Sequence, residues 1–182
     1  MKRQILFVQG GGDGAWQADA ELVASLEKEL GSDYPIRYPR MPKEDDPDFA
    51  AWSERMAEEL AAIGDGAILV GHSLGGTFLV NFLATTEPAK RIAGLFLIST
   101  PFVGEGGWES EDLAPPQDIG ASLPKDVPVY LFHAREDEIV PFAHVELYAK
   151  AVPQAEVRRL DGRNHQLDND LAEVARDIRR LG

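Results

Sequence analysis

Residues 67–76 read Ala67-Ile68-Leu69-Val70-Gly71-His72-Ser73-Leu74-Gly75-Gly76. The first part of this stretch is an apolar run of the kind that makes a buried strand. The second part fits the pattern G-x-S-x-G, in which a serine sits on a sharp turn between a strand and a helix. Glycines flank the serine because side chains there would clash with the turn. The stretch therefore predicts a nucleophile, Ser73, raised above the end of a strand.

Apolar runs and helical spacings alternate on both sides of that stretch. The runs predict strands over residues 4–9, 36–38, 67–70, 94–99, 127–133 and 156–160. Helices are predicted over residues 16–30 and 167–181, and two more begin after Ser73 and at Pro141. A further helix is predicted between an N-cap at Asp46, with Pro47 in its first turn, and a stop at Gly64. This order predicts an α/β fold, a three-layer α/β/α sandwich around a mostly parallel sheet of about six strands. The length fits a single domain, residues 1–182.

The composition limits the partners and the compartment. A formal net charge of −13 argues against nucleic acid or an anionic membrane as a partner. The chain has no cysteine, which excludes disulfides, thiolate metal sites and a cysteine nucleophile. The apolar run at residues 5–8 is too short for a signal peptide, and no run is long enough for a membrane helix. We therefore expect a cytoplasmic protein that acts on a small molecule.

A serine hydroxyl needs a base to become a good nucleophile, and the base needs an acid to orient it. His165 is the predicted base, because it follows the last predicted strand in a loop where open α/β sheets place their sites. His133 ends a strand and His144 lies inside a helix, so we expect structural roles for both. His72 adjoins Ser73 and is badly placed to fold back as its base.

Asp137 is the predicted acid, because it lies in the loop after the penultimate strand, between serine and histidine in chain order. Glu136 and Glu138 flank it and compete for the role. Asp161 is a further candidate, but it is very close to His165 in sequence. The alternative for Asp137, Glu136 and Glu138 is an ordinary solvated loop charge.

The oxyanion hole is predicted from the backbone N–H of Leu74 and one from the glycine-rich loop at residues 9–14. Gly11 is the first candidate in that loop and Gly12 the second. A dinucleotide site is the rival interpretation of the loop, but G-x-G-x-x-G is not matched. A phosphate site is the rival interpretation of the turn at Ser73.

The substrate site is predicted from Gly12 and His72 beside the serine and from the irregular stretch at residues 101–124. A loop of that length is uncommon unless it is functional or disordered. Within it, Phe102 and Trp108 are candidates for the wall of an acyl pocket, and the alternative is that they pin the loop to the body. The chain has too little insertion for a large cap, so we expect an open site for short or medium acyl groups.

Together these residues resemble the small, cap-less α/β-hydrolases, especially the serine hydrolases related to the retinoblastoma-binding protein 9 and YdeN-like group. The resemblance spans nearly the whole chain and rests on Phe7-Val8-Gln9-Gly10-Gly11, Trp16, Trp52, Gly71-His72-Ser73-Leu74-Gly75, Asp137 with Val140-Pro141, and Asn164-His165. It implies a sheet without extra N-terminal antiparallel strands. It also favours Asp137 as the acid, since the aspartate four residues before Pro141 has that role in such families. The chain has Gln9-Gly10 where the family usually has His-Gly, and Asn164 where it usually has glycine.

The predicted activity is hydrolysis of carboxylic esters through an acyl-enzyme on Ser73, with His165 as base and Asp137 as acid. No metal or organic cofactor is predicted. A thioesterase, lactonase or amidase on the same triad is the first alternative. A non-catalytic binding protein on a hydrolase scaffold is the second, because a fold does not determine a function. The sequence makes no prediction of the oligomeric state.

Overall fold

A parallel sheet forms the centre of the computed structural model, which describes residues 3–88, 90–113 and 115–182. Its strands are β1 (Ile5–Val8), β2 (Ile36–Arg37), β3 (Ala67–His72), β4 (Ile92–Ile98), β5 (Val129–Ala134) and β6 (Glu156–Leu160). Within the described residues these six strands are all parallel and pair in the order β2-β1-β3-β4-β5-β6. The predicted sheet is confirmed, and the carboxyl ends of its strands lie along one edge.

Helices cover both faces of the sheet. They are α1 (Ala15–Leu30), α2 (Phe49–Ala61), α3 (Leu74–Thr85), α4 (Ile119–Ser122), α5 (Ala143–Ala151) and α6 (Ala172–Arg179). Apolar residues of α1 and α6 share one buried cluster, and those of α2 to α5 share the other. The three-layer α/β/α sandwich is therefore confirmed. Among the described residues, no helix is long and apolar enough to cross a membrane.

The sheet separates the two apolar clusters because side chains alternate along each strand. In β1, Ile5 and Phe7 join the cluster under α1 and α6, whereas Leu6 and Val8 join the opposite one. All four side chains are fully buried. Burial on both faces explains why a central parallel strand has an unbroken run of apolar residues.

The N-cap of helix α2 lies two residues after the predicted N-cap at Asp46. Asp48 is the N-cap instead, since its extended backbone lets its carboxylate accept a hydrogen bond from Ala51 N at 2.8 Å. Pro47 therefore precedes the cap, and the helix ends at Ala61, before the predicted stop at Gly64.

The last predicted helix, residues 167–181, is broken in the structure. Leu167–Asn169 forms a separate 3-10 turn, and α6 begins only at Ala172. All three residues of the turn have positive φ, between 48° and 54°, which no right-handed helix can continue. The regular spacing of apolar residues therefore reflects burial on both segments rather than one helix.

The long stretch at residues 101–124 packs on the body of the protein. It contains α4 and an isolated bridge between Val103 and Trp108. Leu113, Ile119 and Leu123 are buried against the α2 to α5 side of the core. The stretch is thus anchored by apolar side chains along its length.

Candidate active site

Ser73 occupies a sharp turn between β3 and α3. Its backbone has φ 51° and ψ −126°, a conformation that residues other than glycine rarely adopt. Close approaches hold the turn in place. A Cβ on Gly71 would lie 2.6 Å from the Cα of Gly76, and one on Gly75 would overlap the carbonyl oxygen of Gln9. The serine is therefore held in a strained conformation at the carboxyl end of β3, beside the end of β1.

Replacement of Gly75 by alanine should destabilise the fold strongly. We expect Gly75→Ala to lower the free energy of unfolding by more than about 3 kcal/mol, because the new methyl group meets the backbone of Val8 and Gln9. Gly64→Ala is the matched control, since a Cβ there has open space and should change stability by less than about 1 kcal/mol. Urea unfolding measures both variants. Equal stability of the two would contradict the packing argument.

Asp137 and His165 form a hydrogen-bonded pair. The Nδ1 of His165 lies 2.8 Å from Asp137 Oδ2 and 3.0 Å from Oδ1. A carboxylate only accepts hydrogen bonds, so Nδ1 carries the proton and Nε2 of the neutral ring is left as a base. The hydroxyl of Ser73 makes no hydrogen bond to the described residues, and a contact between nucleophile and base commonly tightens only when substrate binds.

Several donors surround the Asp137 carboxylate, whose side chain is completely buried. Burial raises its pKa, but hydrogen bonds from His133, His165 and the backbone N–H groups of Val140 and Ile139 outweigh that effect. The pKa of Asp137 therefore lies well below its usual range. The Nε2 of His133 lies 3.3 Å from Asp137 Oδ2 and 2.9 Å from the carbonyl oxygen of Val140. Its contact is structural, as we predict, and it also helps to hold the acid.

This network predicts a loss of stability in acid. Because the pKa of Asp137 is lowered in the folded protein, its carboxylate stabilises the fold above the ordinary aspartate pKa of about 3.9, and that contribution is lost as the pH falls below it. We expect the free energy of unfolding to fall between pH 5 and pH 3, and to fall less steeply in Asp137→Asn. Urea titrations at several pH values measure both slopes. Equal slopes would contradict the assignment.

The two glutamates beside Asp137 hold the loop that carries His165. Glu138 Oε2 accepts a hydrogen bond from the backbone N of His165 at 3.0 Å, and Glu136 Oε2 accepts one from Gly162 N at 2.8 Å. Neither glutamate has a hydrogen bond to the imidazole among the described residues. Asp161 forms an exposed ion pair with Arg135. Of the four candidate acids, Asp137 is thus the one that contacts the ring of His165.

The predicted oxyanion donors, the N–H groups of Gly11 and Leu74, belong to two segments that contact each other. A Cβ on Gly11 would lie 2.6 Å from Leu74 Cδ2, so the loop after β1 touches the first residue of α3. The N–H groups of Gly11 and Leu74 donate to no acceptor within the part of the chain that the structure describes. The N–H of Gly12 donates to the carbonyl of Glu44 at 2.6 Å. Gly12 is therefore a wrong choice as the second candidate donor, because its hydrogen is already engaged.

His72 does not line a substrate site, which corrects the prediction for this residue. Its side chain is only 2% exposed, with Nδ1 at 2.9 Å from Asp19 Oδ2 and Nε2 at 3.2 Å from the carbonyl oxygen of His165. Asp19 is not among the residues predicted from the sequence. A signal for it was present, because Asp19 shares the buried face of α1 with Leu22 and Leu26.

The two aromatic residues predicted for an acyl pocket differ in their surroundings. Phe102 is 9% exposed; its backbone N donates to His144 Nδ1 at 2.8 Å, and its ring packs edge-on against Tyr148. Phe102 thus pins the loop, and His144 has the structural role that we predict. Trp108 is 41% exposed, with its ring 5.3 Å from that of His144. A groove of about 980 Å³ lies next to Phe102, and neither Ser73 nor His165 is among the described residues that line it.

No group of three or more histidine, aspartate or glutamate side chains that could hold a metal ion occurs within residues 3–88, 90–113 and 115–182. The carboxyl edge of the sheet carries a strained serine, a histidine paired with a buried carboxylate, and two N–H groups without an acceptor among the described residues. This set of groups has the chemistry of acyl transfer.

Comparisons with known proteins agree with this architecture. A sequence model of a family described as "Serine hydrolase" matches residues 9–170. The ydeN gene product from B. subtilis has a similar structure, with a TM-score of 0.77, 18% identity and 98% of both chains covered. SOBER1 from Arabidopsis thaliana has a TM-score of 0.73 at 15% identity, covering 100% of this chain and 99% of its own. The esterase RhEst1 from Rhodococcus sp. ECU1013 has a TM-score of 0.68 at 19% identity, covering 98% and 90%. The comparison with curated protein sequences gave no match.

Proposed function

The chain belongs to the serine hydrolase family, and from that premise we propose that it hydrolyses carboxylic esters of small molecules through an acyl-enzyme on Ser73. The observation that carries the proposal is the strained turn of Ser73 at the same sheet edge as the Asp137–His165 pair. The fold is that of a minimal α/β-hydrolase, as the similar structures indicate. We propose a cytoplasmic location and no metal or organic cofactor.

The proposed reaction begins when His165 Nε2 takes the proton of the Ser73 hydroxyl. The serine oxygen then attacks the ester carbonyl, and the N–H groups of Leu74 and Gly11 stabilise the negative charge on the carbonyl oxygen. His165 gives its proton to the departing alcohol, which leaves an acyl group on the serine. Water, activated by the same histidine, releases the acid and restores the enzyme. Asp137 stays charged throughout and keeps the proton on Nδ1 of the ring.

Short acyl groups fit this site best. The stretch at residues 101–124 is anchored on the body through Leu113, Ile119 and Leu123, so it supports an open site without a large cap. An open site excludes little water around a long acyl chain and therefore adds little binding energy for each further methylene. We propose acetate to butyrate esters as the preferred acyl range.

The test is hydrolysis of p-nitrophenyl esters from acetate to decanoate, with matched thioesters in parallel and with a fluorophosphonate as a covalent label. We expect turnover that is highest for the short acyl groups, faster cleavage of oxygen esters than of thioesters, and an adduct that mass spectrometry maps to Ser73. Faster cleavage of thioesters would favour a thioesterase. No turnover and no labelling would contradict the proposal and favour a binding protein on the same scaffold.

A further inference from the structure

A second histidine–carboxylate pair, formed by Asp19 and His72, lies buried directly behind Ser73. We propose that this pair carries opposite charges and positions the catalytic groups, by tying the loop of the oxyanion hole and the loop of the catalytic histidine to the nucleophile turn. The proposal rests on the proposed ester hydrolysis at Ser73. Asp19 and His72 are thus positioning residues, since their side chains are only 1% and 2% exposed.

The carboxylate of Asp19 joins three separate parts of the chain. Its Oδ2 accepts hydrogen bonds from Gly10 N at 2.8 Å and from His72 Nδ1 at 2.9 Å, and its Oδ1 accepts one from Gln166 Nε2 at 3.0 Å. The side chain is 1% exposed. A buried carboxylate with three donors is well satisfied as an anion. One residue of α1 therefore holds the loop after β1, the end of β3 and the residue after His165.

His72 faces an acceptor at each ring nitrogen. Nδ1 points to the Asp19 carboxylate, and Nε2 points to the His165 carbonyl oxygen at 3.2 Å. A neutral imidazole has one N–H and can satisfy only one of these acceptors, so the geometry calls for the doubly protonated ring. Burial lowers the pKa of His72, but the charge and hydrogen bond of Asp19 and the hydrogen bond to the His165 carbonyl outweigh that effect. The pKa of His72 is therefore raised. The pKa of Asp19 is correspondingly lowered, although burial opposes this.

The pair acts on the parts of the site where small displacements matter. The carbonyl of His165 also accepts a hydrogen bond from Ser99 Oγ at 2.9 Å, so the backbone of the catalytic histidine is held by two donors. Gly10, which Asp19 holds, lies next to the serine, since a Cβ on it would be 3.4 Å from Ser73 Cβ. Gly11 follows immediately. A misplacement of about 1 Å in such groups can cost about 100-fold in rate.

Two substitutions each remove one charge of the pair, and Asp19→Asn also keeps the shape of the side chain. In Asp19→Asn the amide oxygen can still accept from Gly10 and His72. Its NH₂ faces Gln166 Nε2, and it can donate to Gln166 Oε1, which is buried without a partner among the described residues, once the Gln166 amide turns over. In His72→Asn the amide NH₂ can replace Nδ1 toward Asp19, but nothing reaches the His165 carbonyl. We expect kcat to fall about 10- to 100-fold in both variants, with KM changed by less than about threefold.

Asp177→Asn is the matched control. Asp177 is a fully buried carboxylate of α6 whose hydrogen bonds go to Arg158 and Arg180. We expect this variant to lose thermal stability and to keep kcat within about twofold of the wild type. If Asp19→Asn and His72→Asn lose stability but keep kcat as the control does, the pair is merely structural and the proposal is overturned.

Nitrogen-15 NMR of the histidine side chains gives a readout that does not depend on turnover. We expect both ring nitrogens of His72 to be protonated at pH 7, and the Nδ1 proton of His165 to exchange faster with water in Asp19→Asn than in the wild type or Asp177→Asn. A neutral His72, or unchanged exchange at His165, would overturn the inference. If the wild type hydrolyses no ester, the proposed function fails, while these resonances still decide whether the pair positions His165.

Discussion

Ser73→Ala is expected to lose ester hydrolysis by at least about 10⁴-fold in kcat/KM, since the variant has no atom on which an acyl group can form. The backbone of the turn should survive. Its strain is held by the packing of Gly71 and Gly75, and alanine keeps the Cβ that Ser73 already places there. Binding of an unreactive substrate analogue should therefore change little. Steady-state kinetics with p-nitrophenyl acetate, together with circular dichroism, separate loss of chemistry from loss of fold.

Ser53→Ala is the matched control for this experiment. The Ser53 hydroxyl lies buried on α2 with no hydrogen-bond partner among the described residues, so its removal should leave both kcat and KM within about twofold of the wild type. Residual turnover above about one tenth in Ser73→Ala, in protein free of contaminating esterase, would mean that another group is the nucleophile.

Asp137→Asn is expected to lower kcat by about 10³- to 10⁴-fold, the second largest effect, because it moves the proton of the catalytic ring from Nδ1 to Nε2. The introduced amide would keep its oxygen toward the backbone N–H groups of Ile139 and Val140, since these need an acceptor. Its NH₂ would then face His165 Nδ1. To accept that hydrogen bond the ring must move its proton to Nε2, which leaves no lone pair for Ser73.

Glu138→Gln is the control for the loss of charge alone. Its carboxylate accepts only the backbone N–H of His165 among the described residues, and an amide oxygen can accept the same hydrogen bond. We expect less than about a fivefold change in kcat, measured on the same ester series. Equal losses in Glu138→Gln and Asp137→Asn would contradict the tautomer argument and indicate that the acidic loop acts through its total charge.

The fold could be predicted because its determinants are local. Runs such as Ile5–Val8 and the pattern around Ser73 need no partner to be recognised. The candidate acid and base could also be located, since the carboxyl ends of parallel strands meet at one edge. The predicted N-cap of α2 is wrong because Asp46 and Asp48 are equally good caps in sequence, and only the backbone conformation selects Asp48.

The positioning pair could not be predicted, since its contacts join residues that are far apart in sequence. Asp19 and His72 are 53 residues apart, and His72 and His165 are 93 apart. A histidine before the serine has no local pattern that assigns its partners. An acid on the apolar face of α1 was the available sign that a buried cation lies opposite. When an acid lies on the apolar face of a predicted helix, each histidine and arginine at the sheet edge should therefore be considered as its partner.

The uniform direction of the six strands also gives the protein two ends with different tolerance to chemical alteration. Every group proposed for the reaction lies where the strands finish, so the end where they start is free for attachment. Lys125 is exposed just ahead of β5 at that end. Because the chain contains no cysteine, one cysteine introduced at this position would be the single thiol of the molecule. A bead, dye or electrode coupled there would hold the enzyme with its working surface turned toward the solution.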